Sequence, residues 1–96
     1  MSQEWPFADP KNVAVLSLRR IVLGHAPILK VTHDEGDGTW QFLDGGEVDL
    51  SQAMLVRLEN IVKLDPTVLE LAELPFGWRA THGSLKDHWK RELEDV

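Results

Sequence analysis

Residues 28–43 read ILKVTHDEGDGTWQFL, and the way this stretch pairs with itself decides the fold. Ile28 to His33 alternates apolar and polar side chains, Thr39 to Leu43 does so again, and DEGDG lies between them. Two alternating runs around a turn rich in Asp and Gly make a hairpin signature. Its register follows from burial. Pairing Asp34 with Thr39 leaves Glu35 to Gly38 as the loop, and sets Val31 against Phe42 and His33 against Trp40 on one face. Shifting one strand by a single residue would put Lys30 and Thr32 against the aromatics, so the first register is expected.

Outward from the hairpin, Asp44-Gly45-Gly46 is a second turn, and the segment Asp49–Leu64 that follows is ambiguous. The spacing of Leu50, Ala53, Met54, Val56, Leu58, Ile61 and Val62 suits one continuous helix capped by Asp49 or Ser51. An internal echo favours another reading. VLSLRRIV at 15–22 and LVRLENIV at 55–62 superpose at an offset of 40, which lays Leu18, Ile21, Val22 and Leu29 on Leu58, Ile61, Val62 and Leu69. Val13 to Leu16 has the β-branched pattern of a strand, and Leu18, Ile21 and Val22 then sit at helical spacing. Gly24 in a left-handed conformation would end that helix, with Pro27 beyond it. By analogy Ala53–Arg57 is a strand feeding a helix from Leu58 to Leu64. A single echo is too few for a solenoid, so it is a way of packing one core.

The remaining segments are simpler. Residues 1–12 form an arm with two prolines, in which Trp5 and Phe7 can tuck against the domain. Asp65-Pro66 starts a helix with Val68, Leu69, Leu71 and Ala72 as its buried stripe, up to Pro75. Gly77 to Thr81 reads as a last strand, entered past Trp78, whose ring can close one end of the sheet. Ser84-Leu-Lys-Asp87 resembles a capping box that opens a charged helix through about Glu92, so residues 83–96 are expected as a charged helix or tail. The expected fold is a single α+β domain over residues 13–82. It has a mostly antiparallel sheet of four or five strands and two or three short helices.

Composition narrows the chemistry. The 96 residues include no cysteine, which excludes disulfides, thiolate nucleophiles and cysteine-ligated zinc. No apolar run approaches a membrane span, and the N-terminus lacks the basic start and apolar stretch of a signal peptide, so the expected location is cytoplasmic. His33 lies on the apolar hairpin face, His25 in a turn, and His82 and His88 lack the HxxxH spacing of a zinc helix; no metal or cofactor is expected. DEGDG lacks the register of a calcium loop, and no nucleophile elbow or phosphate-binding glycine motif is present. Plentiful carboxylates fall in turns, so no catalytic residues emerge.

What stands out is the placement of charge. Sixteen acidic residues against ten basic give a net charge of −6. Asp34, Glu35, Asp37, Asp44, Glu47 and Asp49 fall between Lys30 and Arg57 without a Lys or Arg among them. Such an arc repels nucleic acid and anionic membranes and attracts a basic protein. Turn chemistry alone also collects Asp and Gly. Four tryptophans offer a second surface, since Trp5 and Trp89 lie near the ends, where an exposed ring would mark a contact.

Three stretches carry a resemblance: FADPKNVAVLSLRRIV, PILKVTHDEGDGTWQFLDG and LVRLENIVKLDPTVLELAELPFGWRA. Together they span about residues 7–80, with LDPTVLELAELPFGW the most specific. The arrangement resembles a bacterial family of small immunity-protein-like domains of unknown function found near polymorphic toxin systems. That resemblance implies an α+β fold and a non-enzymatic binding protein, some members being toxin-neutralising. It implies no catalytic residues. The expected function is thus an interaction domain for a basic protein partner, with self-association left open. The alternative is a small enzyme or ligand-binding protein with a pocket between helix and sheet.

Overall fold

The hairpin forms in the register that burial dictates. In a computed structural model that describes residues 5–46, 49–84 and 86–94, strand β2 (Lys30–His33) pairs antiparallel with β3 (Trp40–Leu43). Val31 lies opposite Phe42 and His33 opposite Trp40. Asp34 N–H closes the loop onto Thr39 C=O at 2.9 Å. The flanking strands are β1 (Ala14–Leu18), β4 (Ala53–Arg57), β5 (Trp78–Thr81) and β6 (Lys90–Leu93). The sheet order is β4-β1-β3-β2-β5-β6, with β1 and β3 parallel and every other pair antiparallel. The fold is α+β, with six strands rather than four or five.

The echo resolves the ambiguous segment. A short 3-10 turn, Leu50–Gln52, is capped by Asp49, whose side chain accepts from Ser51 N–H. β4 then leads directly into α2 (Leu58–Leu64), as β1 leads into α1 (Arg19–Val22). β1 and β4 lie side by side, Ala14 opposite Arg57 through Leu18 opposite Ala53. Both corners therefore drive their wedges, Leu18 with Ile21 and Leu58 with Ile61, into one core, where all four are buried. α1 ends differently from expectation. His25, not Gly24, takes the left-handed conformation (φ 59°). Gly24 is required for space instead: a Cβ there would lie 2.8 Å from the Arg20 carbonyl oxygen.

After α2, Asp65 caps Thr67 N–H and Pro66 opens a 3-10 helix, Pro66–Leu71. Val68, Leu71 and Leu74 recur every third residue and all are buried, which matches the three-residue turn of a 3-10 helix rather than an α-helix. Leu69 and Ala72, expected in the buried stripe, are half-buried against the core.

The largest correction is at the C-terminal end. Residues 90–93 form β6 on the outer edge of β5, with Arg79 opposite Glu92, instead of continuing a helix. Ser84 starts only a tight turn, accepting from Asp87 N–H at 3.1 Å; Leu85 lies outside the described residues. A helix here would have presented too few apolar side chains to hold it. Strand pairing satisfies the edge of β5 and lets Trp89 stack on His82 with ring centres 3.6 Å apart.

Candidate functional site

The loop between β2 and β3 is tied by its own carboxylates. Asp34 accepts from Gly36 N–H (2.6 Å) and Asp37 N–H (3.3 Å). Asp37 accepts from Thr39 N–H at 2.9 Å, and that backbone hydrogen bond, helped by the Thr39 side chain, holds the Asp37 carboxyl below its usual range. Gly38 adopts φ 75° and Gly77 φ 84°, conformations that favour glycine. A Cβ at either position would also be a close contact. A Cβ on Gly38 would lie 3.3 Å from the Phe76 ring, and one on Gly77 would lie 3.3 Å from the Glu35 carboxylate.

Those close approaches place Phe76 on the acidic tip. The ring is 63% exposed, and its inner edge meets the His33 imidazole at 4.5 Å between centres. His33 stacks flat on Trp40 at 3.8 Å and 14°. Its Nδ1 lies 2.8 Å from Leu74 C=O; a carbonyl only accepts, so Nδ1 carries the proton. Nε2 is buried without a hydrogen-bond partner among the described residues. His33 is therefore a brace between the core and Phe76, as its position on the apolar face indicated.

Beside the tip lies a trough of about 420 Å³, lined by Lys30, Thr32, Gln41 and Leu43 and by Asp34, Glu35 and Glu94 at its end. Lys30, Thr32 and Gln41 alternate with Val31, Trp40 and Phe42 of the core, so the trough lies on the face of the sheet turned away from it; Leu43, paired with Lys30, is on that face yet buried.

The acidic arc is not continuous. Asp34, Glu35 and Asp37 share the tip, whereas Asp44 and Asp49 lie past the opposite end of β3; Glu47 lies outside the described residues. Asp44 is committed to Arg20, which grips it with both Nε and Nη2, the latter at 2.8 Å. That hydrogen bond holds the Asp44 carboxyl below its usual range against the opposing effect of burial. Asp49 caps Ser51 through its backbone N–H (2.9 Å) and hydroxyl (2.8 Å). Both have local structural work.

Of the terminal tryptophans, one is buried and the other half-buried. Trp89 is buried on His82. Trp5 is half-buried against Phe7 and donates to Asp9 C=O at 2.7 Å. Phe76 is the exposed aromatic that sequence reasoning missed. The signal available was Pro75 and Gly77 on either side of it, which hold the ring on a turn where the core cannot enclose it. Among the described residues no three His, Asp or Glu side chains gather as a metal-binding group, and no helix is long and apolar enough to cross a membrane. Neither a family model, nor a curated protein, nor a solved structure matches the chain.

Proposed function

We infer that the chain is a non-enzymatic protein-interaction domain, and that it binds a basic protein through the hairpin tip. The observation that carries this reading is the exposed Phe76 ring set among Asp34, Glu35 and Asp37. None of the three carboxylates has an ion pair among the described residues. An exposed aromatic anchor with a charged rim is the usual make-up of a binding hot spot. The resemblance of residues 7–80 extends the proposal to an immunity protein, whose basic partner would be the toxin it neutralises.

The test is affinity capture from the native cell, followed by binding kinetics with the captured partner. Glu35→Lys should slow association and weaken its salt dependence, because rim charge acts chiefly on encounter. Phe76→Ala should speed dissociation by about tenfold or more, as loss of an anchor does. Unchanged rates in both variants, or an acidic partner, would remove the proposal.

The ligand-binding alternative draws on the 420 Å³ trough. It does not draw on a cleft under the helices: the space between the α1–β2 loop and the end of α2 holds about 150 Å³, below the ~300 Å³ at which ligand sites begin. A small-molecule thermal-shift screen that Gln41→Trp abolishes would favour this alternative over the protein partner.

A further inference from the structure

The two edges of the sheet differ in chemistry. β6 reads KREL and carries charge at its first three positions, a common guard against stray pairing. β4 reads AMLVR, and its first four residues have neither charge nor proline. Leu55 at its centre is 67% exposed and Leu50, just before it, is 82% exposed.

Backbone accounting sharpens the contrast. Leu58 N–H donates to Val13 C=O at 3.0 Å. By the alternation of an antiparallel ladder, Met54 and Val56 then turn their backbone groups toward β1, while Ala53, Leu55 and Arg57 turn theirs outward. Two of those six outward groups are already used. Ala53 N–H bonds to Leu50 C=O, and Arg57, as the N-cap of α2, gives its C=O to the first helical hydrogen bond. Ala53 C=O, Leu55 N–H, Leu55 C=O and Arg57 N–H have no partner among the described residues.

We propose that β4 pairs with β4 of a second copy, joining two sheets in a symmetric antiparallel homodimer. A two-fold axis at Leu55 sets Leu55 against Leu55, Met54 against Val56 and Arg57 against Ala53. Leu55 N–H then donates to Leu55 C=O across the axis, and Arg57 N–H to Ala53 C=O, each in both directions. All the free groups are used and none is left over, which is the self-complementarity a two-fold interface requires. Charge agrees. The exposed Arg57 guanidinium comes to lie beside the second copy's turn capped by Asp49, while the two arginines stay at opposite ends. An unrelated strand can pair with the same four groups, but its own carbonyl opposite Ala53 N–H and its own N–H opposite Arg57 C=O would meet groups already used.

The mass in solution tests the proposal by sedimentation equilibrium, independently of any partner capture. The chain should approach twice its 10.9 kDa mass with rising concentration. Leu55→Lys should hold it at the monomer mass, because two like charges would oppose each other across the axis, with circular dichroism unchanged and melting equal to that of the wild type at concentrations too low for the dimer. Leu55→Pro should do the same, since it deletes an N–H that faces away from β1. Lys90→Ala on the opposite edge should leave the dimer intact. A wild-type chain that is monomeric throughout would overturn the proposal. So would a dimer that both Leu55 variants preserve, or one that Phe76→Ala abolishes in place of them.

Discussion

Trp40 connects three parts of the molecule through one side chain. Its ring stacks on His33, meets Phe7 edge-on at 5.3 Å, and its Nε1 donates to Asp9 at 2.9 Å. Trp40→Ala should therefore cost about 3–5 kcal/mol, read from urea unfolding, and should also release the 5–12 arm to proteolysis. A loss below about 1 kcal/mol would mean that the ring does little packing. This residue was legible in the sequence, because a period of two fixes the face of every strand position once the turn is placed. Phe76 was not, since its exposure depends on where two positive-φ glycines and a proline send the chain. Asp44 supplies a pH test. Its carboxyl is held below the usual range by Arg20, so the pair stabilises the fold above the unfolded-state value of about 3.9. That contribution is lost as pH falls through the lower folded value. Asp44→Asn should destabilise the protein at neutral pH, and the gap to wild type should narrow as pH falls below about 3.9. Equal stability of the two proteins at neutral pH would show that the ion pair contributes nothing.

Among the elements, the strand-helix corners were legible because the same Leu-x-x-Ile-Val wedge occurs twice and only one copy was ambiguous. The helix after Pro66 was legible as a helix but not as 3-10, since Val68, Leu69, Leu71 and Ala72 satisfy either period until tertiary packing selects Val68, Leu71 and Leu74. β6 was not legible. KREL has the composition of a solvated helix face, and nothing local says that the outer edge of β5 awaits it. Once it is paired, Arg79 reaches Glu92 at 3.5 Å and Glu94 at 3.4 Å. Such half-exposed pairs are worth little each, so the backbone ladder and the buried Trp89 hold this strand. Chemical shifts of residues 90–93 should be extended, with cross-strand contacts between Arg79 and Glu92. Helical shifts through Glu92 would restore the reading taken from the capping-box pattern.

At the scale of the whole molecule, the acidic balance of −6 resolves into two kinds of carboxylate. Some, such as Asp44, Asp49, Asp34 and Asp37, close turns and cap elements; others, such as Glu35 at the hairpin tip, have no ion pair among the described residues. Sequence composition cannot separate the two kinds, because both sit beside glycines in loops. Topology has its own consequence. β1 lies in the interior of the sheet, between β3 as its parallel neighbour and β4 from forty residues on. On the ribosome, then, the first strand to emerge must wait for one of its two flanks. Synthesis of residues 19–57 takes about 2–8 s at ordinary elongation rates, and during that time Val15, Ser17 and Leu18 have no lasting cover. A nascent chain stalled at residue 52 should therefore remain protease-sensitive throughout.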